Sequence, residues 1–246
     1  MNVVKFTLGG KFAFFKKPDV NSYYYFTYGN IHKIALLGIF GAILGYSGYS
    51  KMSFDKKYND ITRDFPEFYD KLRHLELSVV PHDVSISKKV QVFNNSVGYA
   101  SKEQGGNLIV KEQWLENPRW DIYLALKCGE SEKIYNSLQN KEYVYLPYLG
   151  KNDHLADISD VCLITDTKKI DDAVNIDSLF IKNGIVFSEK FNKGQKVYKY
   201  EEFLPYSFER TTNKYEFENF IYTNALLKTN AETIVYRIDG KNIIFY

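Results

Sequence analysis

One apolar segment near the start of the chain limits the possible folds more than any other feature. It reads NIHKIALLGIFGAILGYSGYS at residues 30–50, and its apolar run from Ile34 to Leu44 is 11 residues long. A membrane-spanning helix needs about 20 such residues. The run therefore predicts a helix over about 31–45, opened by Asn30, that is buried inside a protein.

Three glycines interrupt the predicted helix, at Gly38, Gly41 and Gly45. Each interior glycine costs roughly 1 kcal/mol of helix propensity relative to alanine, so the three need a reason. Their spacing places them on one flank of the helix. Close packing of a neighbouring strand or helix is one reason, and close approach of an RNA backbone or another subunit is the alternative. They form no phosphate-binding loop, because the pattern GxxxxGK[ST] is absent.

The order of periodic segments predicts a ferredoxin-like α+β fold, because strand, helix, strand, strand, helix, strand is the βαββαβ pattern shared by RRM-type RNA binders. The predicted segments are a strand at 2–8, a tyrosine-rich extended stretch at 22–28, the apolar helix, a polar loop at 51–73 with a short helix around PEFYDKLR, strands at 75–81 and 120–126, a helix at 130–139 and a strand at 161–165.

Two further regions surround this pattern. Residues 82–119 are rich in Ser, Asn, Gly and Lys and carry short strand patterns on both sides of the turn QGGN, so they predict a hairpin-like excursion. The last 80 or so residues predict more strands. We expect hairpins at an NG turn in SLFIKNGIVF and at a DG turn in TIVYRIDGKNIIFY.

The positive charge is concentrated near the start of the chain. The whole protein carries +2, whereas residues 1–57 contain eight lysines and two acidic residues. This favours a phosphate-facing surface at that end, with Lys11, Lys16 and Lys33 as candidate contacts. Lys33 follows His32 in the first turn of the predicted helix, where free N–H groups favour an anion. The alternative for these lysines is ordinary solvation, with His32 partly buried.

The excursion at 82–119 also combines bases with aromatic residues, a pattern that suits neutralisation of phosphates and stacking of unpaired bases. Its net charge is only +1, so a structural or dimerisation arm remains an open alternative. The candidate RNA-binding residues in it are Lys88, Lys89, Tyr99, Lys111, Trp114 and Arg119.

No sequence motif indicates a catalytic, metal or cofactor site. Cys128 and Cys162 are 34 residues apart without a CxxC pair, and no histidine has a metal-ligand spacing to another ligand type. Metal-independent RNA cleavage stays open, because it needs only a general base and acid. We expect no cofactor and no membrane partner and, since the first residues read as a strand and not as a signal peptide, a cytoplasmic protein.

Four blocks resemble the CRISPR-associated family five of the RAMP superfamily, with most similarity to type I-B members. They are FTLGGKFAFFKKP, LLGIFGAILGY, KEQWLENPRWDIYLAL and YLPYLGKND, and together they span roughly residues 1–155. The resemblance implies one RAMP domain over 1–246. Its ferredoxin-like palm would comprise about 1–81 and 120–165, its thumb hairpin about 82–119, and a strand-rich extension about 166–246.

The family resemblance also implies a function. Family-five proteins hold the 5′ handle of the CRISPR guide RNA (crRNA) in type I Cascade complexes, dock on the backbone (family seven) and large (family eight) subunits, and lie near target DNA. Type I-C members also cut the precursor, whereas type I-B systems use a family-six enzyme for that step. We therefore expect a non-catalytic crRNA-binding subunit. The alternatives are a metal-independent endoribonuclease and a stand-alone RRM-like RNA binder.

Overall fold

The computed structural model describes residues 1–19, 23–96, 98–99, 102–170, 175–188, 196–228 and 233–246 and has an α+β architecture. The helices are α1 (Lys33–Leu44), α2 (Tyr49–Tyr58), α3 (Glu67–Leu72) and α4 (Gly129–Asn140). The strands are β1 (Val3–Gly9), β2 (Phe12–Ala13), β3 (Tyr24–Tyr25), β4 (Leu77–Pro81), β5 (Lys88–Asn94), β6 (Ile109–Glu116), β7 (Arg119–Ala125), β8 (Asp157–Ile164), β9 (Thr167–Ile170), β10 (Phe180–Ile181), β11 (Val186–Phe187), β12 (Lys199–Phe208), β13 (Tyr215–Thr223), β14 (Leu227–Lys228), β15 (Val235–Ile238) and β16 (Lys241–Ile243).

The central sheet has the strand order β4-β7-β1-β8, and every neighbouring pair is antiparallel. Helices α1 to α3 connect β1 to β4, and α4 connects β7 to β8. This is the βαββαβ arrangement of a ferredoxin-like fold, so the predicted fold class is confirmed. The excursion at 82–119 leaves the sheet after β4 and returns at β7, and these two strands pair directly.

The two faces of the central sheet have different partners. Val4, Phe6 and Leu8 of β1 are fully buried on one face, in the same core cluster as α1, where Phe6 meets the ring of Phe40 edge-on. Successive residues of a strand point to opposite faces. Lys5 and Thr7 therefore point to the other face, and the end of that face is covered by the hairpin of β15 and β16.

Helix α1 begins and ends within two residues of the predicted positions, but its N-cap differs. Nδ1 of His32 accepts a hydrogen bond from the backbone N–H of Ala35 at 3.2 Å, so His32 is the N-cap and not Asn30. The Asn30 side chain instead accepts a hydrogen bond from the indole N–H of Trp120 at 2.9 Å. Gly45 closes the helix with φ of 77°, a conformation that favours glycine.

The three glycines of the helix do not share one role. A Cβ at Gly41 would lie 2.6 Å from Cβ of Phe68, and one at Gly45 would lie 2.9 Å from Val144. A neighbouring side chain therefore approaches closely at these two positions. None does at Gly38, where an added Cβ would meet no described atom outside its own helix within 4 Å.

The region at 51–73, predicted to be loop-like apart from one short helix, contains two helices. Helix α2 occupies its first part, and α3 matches the predicted short helix. Asp55 is the buried residue of α2, and its carboxylate accepts hydrogen bonds from Lys51 and Asn59. Among the described residues no single helix is long and apolar enough to span a bilayer. Helices α1 and α2 pass that test only as a pair, with a 70° bend between them.

The C-terminal region is strand-rich, as predicted, but one of its two hairpins is absent. Asp239 and Gly240 have φ of 50° and 75° and join β15 to β16, which confirms the DG turn. The NG turn joins β10 to β11, yet β10 pairs with β13 and β11 pairs with β14. Pairing across the extension therefore replaces the local hairpin that the sequence predicts.

Candidate nucleic-acid interface

The excursion forms a hairpin that is built into a second sheet. Strands β5 and β6 pair antiparallel along their length. The opposite edge of β6 pairs with β2 antiparallel and with β3 parallel, so Tyr24 lies opposite Lys111 and Phe12 opposite Glu116. The sheet therefore joins the basic N-terminal segment to the basic excursion, which the sequence presents as separate regions.

Lysines from both segments converge on one aromatic ring in this sheet. The ammonium groups of Lys11 and Lys89 lie 5.7 Å and 5.2 Å from the ring centre of Phe12. Nearby, the ammonium of Lys16 lies 4.2 Å from the ring centre of Tyr25. All three lysines are exposed, so cation–π contacts position positive charge at the surface without burying it.

Lys11 also meets Arg119 at the end of the central sheet. The two residues line an open cleft of about 330 Å³ together with Gly9, Asn117 and Asp157. Two cations on one concave wall can hold a phosphate group, while Asp157 offsets part of their charge. The structure thus brings together two sequence-predicted site residues that are far apart along the chain.

Trp114 is placed differently from its predicted role as an open stacking surface. It is half-buried, and its indole N–H donates a 2.7 Å hydrogen bond to the buried carboxylate of Glu112. Lys151 donates to the same carboxylate at 2.9 Å, and the ring of His154 packs edge-on against Trp114. Both ring nitrogens of His154 lack a hydrogen-bond partner among the described residues, and burial lowers its pKa.

Lys33 does not face solvent as predicted. It is 7% exposed, and its ammonium lies 4.6 Å from the ring centre of Tyr206. Burial lowers its pKa to about 8. His32 is also buried, which lowers its pKa to about 3 and leaves it uncharged at neutral pH. Contrary to the expectation from sequence, the Lys33 ammonium is therefore not presented to an anion in solvent.

The other predicted contacts remain accessible. Lys88 and Lys111 are exposed on the outer face of the hairpin, and Tyr99 near its far end is 78% exposed. Tyr23, which the sequence did not single out within its tyrosine run, is 87% exposed and precedes β3. Tyr24 pairs with Lys111 near the start of β6, so both exposed rings lie toward the turn of the hairpin, where they offer faces on which unpaired bases can stack.

A groove of about 480 Å³ runs along α1 below this sheet. The small residues Ala35, Gly38 and Ala42 form part of its floor, so the open position of Gly38 faces the groove. Tyr49 and Tyr148 supply aromatic walls. Lys16 and Lys151, which the sequence did not predict as a site residue, add two cations. An apolar floor with aromatic walls and cations suits a nucleotide.

A polar cluster lies on the other face of the central sheet. The buried Asp121 carboxylate accepts hydrogen bonds from the Thr7 hydroxyl at 3.1 Å and from His82 Nε2 at 2.8 Å. Burial disfavours the charged form, but the hydrogen bonds from His82 and Lys241 and the charge of Lys5 outweigh it and hold the Asp121 pKa below its usual range. Sequence spacing gave no sign of this pair.

The fold is similar to that of solved CRISPR-associated proteins. A crystal structure of a CRISPR protein from Archaeoglobus fulgidus superposes with a TM-score of 0.54 at 11% identity, covering 100% of this chain and 98% of that one. A chain of a CRISPR RNA-guided surveillance complex superposes with a TM-score of 0.51 at 10% identity, covering 92% and 90%. No protein-family model matches the chain, and a search of curated proteins finds no match. The chain therefore shares its fold, over nearly its whole length, with CRISPR-associated proteins.

Proposed function

We propose that this chain is a non-catalytic subunit of a type I CRISPR surveillance complex that holds the 5′ handle of the crRNA in the cytoplasm. It docks on the backbone (family seven) and large (family eight) subunits, as the resemblance to family five implies. One of the two similar structures is described as part of an RNA-guided surveillance complex, and its fold extends over most of this chain.

The union of two basic segments in one sheet carries the proposal. β6 brings Lys11 and Lys16 beside the hairpin that holds Lys89, and the groove along α1 opens next to this charge. In such an arrangement the lysines bind phosphates, which supplies affinity, while aromatic walls receive unpaired bases. An extended RNA strand fits this combination better than a duplex, because bases in a duplex are not free to stack on protein rings.

The interface is tested with charge-matched lysine pairs. Lys11→Gln/Lys89→Gln removes both cations beside Phe12, and Lys168→Gln/Lys169→Gln removes two exposed cations of β9, which lies in another sheet. Binding of a labelled handle RNA is measured by fluorescence anisotropy across salt concentrations. The first variant should lower the salt slope by about 1.4, since each phosphate contact on single-stranded RNA contributes roughly 0.7. An equal decrease in RNA affinity and in salt slope in both variants would contradict the proposal.

Membership of a complex needs its own measurement. The chain is co-expressed with a backbone subunit, a large subunit and a crRNA, and the assembly is isolated through a tag on the backbone subunit. We expect this chain and the crRNA to co-purify. The chain should lose the crRNA more readily in the Lys11→Gln/Lys89→Gln variant than in the Lys168→Gln/Lys169→Gln control. Recovery of the chain as an RNA-free monomer from these cells would instead support a stand-alone protein.

The His82–Asp121 pair favours one alternative function, metal-independent RNA cleavage. A carboxylate that orients an imidazole near cations is an arrangement used in acid–base catalysis, and Lys5 and Lys241 lie 3.7 Å and 3.2 Å from Asp121. Incubation of the pure protein with repeat RNA in EDTA separates the two functions. We expect no specific cleavage; a product that disappears in His82→Gln would establish the endoribonuclease.

A further inference from the structure

Three side chains of metal-ligating types converge at the edge of the helical layer, away from the basic interface. His74 lies in the segment between α3 and β4, Cys128 is the N-cap of α4, and Glu130 is in the first turn of that helix. Nε2 of His74 lies 3.3 Å from Sγ of Cys128, and the ligand atoms of the three residues all lie within 4.8 Å of one another. The sequence predicted no such cluster, because His74 and Cys128 are 54 residues apart.

The sheet register brings these residues together. Strands β4 and β7 are antiparallel neighbours with Leu77 opposite Leu124, so the chain entering β4 lies beside the chain leaving β7. Just outside that pair, Lys127 donates to the Glu76 carboxylate at 2.6 Å and 2.7 Å. Each segment is thus anchored next to its metal-ligating residue, and the cluster does not depend on a long flexible loop.

The atom types, and the distance from His74 Nε2 to Cys128 Sγ, match one class of cation. Zinc binds imidazole nitrogen at about 2.0–2.1 Å, thiolate sulfur at about 2.3 Å and carboxylate oxygen at a similar distance, and a tetrahedral angle then places nitrogen and sulfur about 3.6 Å apart. The observed separation of 3.3 Å is close to that value. Calcium and magnesium prefer oxygen ligands, so a thiolate and an imidazole exclude them here.

Contacts with the first turn of α4 hold Cys128 in place. Its backbone N–H donates a 3.2 Å hydrogen bond to the Ser131 hydroxyl, and its Sγ lies 3.6 Å from the same oxygen. His74 is exposed and Cys128 and Glu130 are half-buried, so an ion can enter from solvent.

One neighbour competes with an ion for Glu130. The ammonium of Lys133 lies 3.4 Å from the Glu130 carboxylate, and its side chain is 60% exposed. An exposed pair of this kind contributes little to stability. A divalent cation with two further ligands competes with this weak pair for the Glu130 carboxylate.

We propose that His74, Cys128 and Glu130 bind one zinc ion, with the fourth position taken by water or by a ligand from a partner. The ion would tie the start of β4 to the start of α4 and so connect the two βαβ halves of the fold. The proposal is independent of the RNA interface, since none of the three residues belongs to it.

Cobalt titration of the full chain, after removal of metals with a chelator, tests the site directly. Cobalt in a tetrahedral site with a thiolate ligand gives visible d–d bands and a sulfur-to-metal charge-transfer band, and zinc should remove both by displacement. Cys128→Ser should abolish the charge-transfer band, whereas Cys162→Ser, which changes the exposed cysteine of β8, should keep it. No band in the native chain, or a band lost only in Cys162→Ser, overturns the proposal.

Zinc affinity provides a second measurement that does not depend on the folding of the Cys128→Ser variant. His74 is exposed, so His74→Gln should fold normally. Its zinc affinity, measured by competition with a chromogenic chelator, should fall by more than the roughly 10–100-fold that loss of a second-layer hydrogen bond costs in known sites. Glu130→Gln should weaken binding as well. Unchanged affinity in both variants, or a stoichiometry other than one, contradicts the assignment.

Discussion

Two alanine substitutions in α1 should have opposite effects on stability although they lie three residues apart. Gly38→Ala adds a methyl group where no other described atom lies within 4 Å, whereas Gly41→Ala places one 2.6 Å from Cβ of Phe68. Both replace a glycine in the interior of the same helix. The pair therefore separates helix propensity, which is equal in the two variants, from packing, which is not.

The expected magnitudes follow from these contacts. Gly38→Ala should raise the free energy of unfolding by about 1 kcal/mol, which is about 2–4 °C in Tm for a chain of this size. Gly41→Ala has the same gain but also an overpacking cost of about 1–3 kcal/mol. The contact is with Cβ, so α3 itself must move. That helix is held by hydrogen bonds from Ser47 to Glu67 and from the Phe208 backbone to Tyr69.

Urea denaturation followed by circular dichroism measures both free energies of unfolding relative to that of the native chain. We expect the two variants to differ by about 1–3 kcal/mol. Equal stabilisation of both variants would show that α3 leaves room for a methyl group at Gly41. A lower free energy of unfolding in Gly38→Ala would show that the helix is closely packed at Gly38. A larger side chain in Gly38→Leu should keep the fold but enter the groove and weaken handle binding.

Three further predictions concern pH and the hairpin. Burial lowers the pKa of His32 from about 6.5 in the unfolded chain to about 3 in the folded one. The free energy of unfolding should therefore fall as the pH drops from about 6.5 to about 3. In urea titrations, His32→Asn, which keeps an N-cap, should show a smaller fall over the same pH range. Asp121→Asn should cost about 1.5–3 kcal/mol at pH 7. In the native chain the ionised Asp121 carboxylate stabilises the fold until the pH falls through its lowered pKa. The variant lacks this contribution, so its Tm should change less between neutral and acidic pH. Replacing residues 91–108 with a short Gly/Ser turn should leave a folded chain with weaker handle binding. Unchanged affinity and salt slope would instead assign the exposed Val90, Val92 and Ile109 to a protein contact.

The order of the main elements was accessible from sequence because it depends on local periodicity. The apolar helix, the four strands of the central sheet and the DG turn each follow from neighbouring residues. Helix α2 was missed because its residues are mostly polar and the residue that it buries is Asp55, so no apolar periodicity marks it. The NG hairpin failed because β10 and β11 find partners far along the chain.

The candidate site was accessible only in part. The sequence identified the basic residues Lys11, Lys16 and Lys89 but did not show that they lie close together. That proximity depends on the pairing of β6 with strands about 90 residues away or more. The sequence offered Lys33 as a phosphate contact because it lies in the first turn of the helix, whereas the structure buries it against Tyr206. The His82–Asp121 and His74–Cys128 pairs involve residues separated by 39 and 54 positions, and no local pattern marks either.

The central position of β1 has a consequence for synthesis of the chain. Val3 pairs with Ala125 on one side and with Ile164 on the other, so β1 is synthesised before either of the strands that pair with it. At about 5–20 residues per second, roughly 6–25 s pass on the ribosome before β7 exists. Throughout that interval β1 and the apolar α1 lack the sheet that covers them. Nascent chains halted before β7 should therefore recruit chaperones, and those extended past β8 should release them.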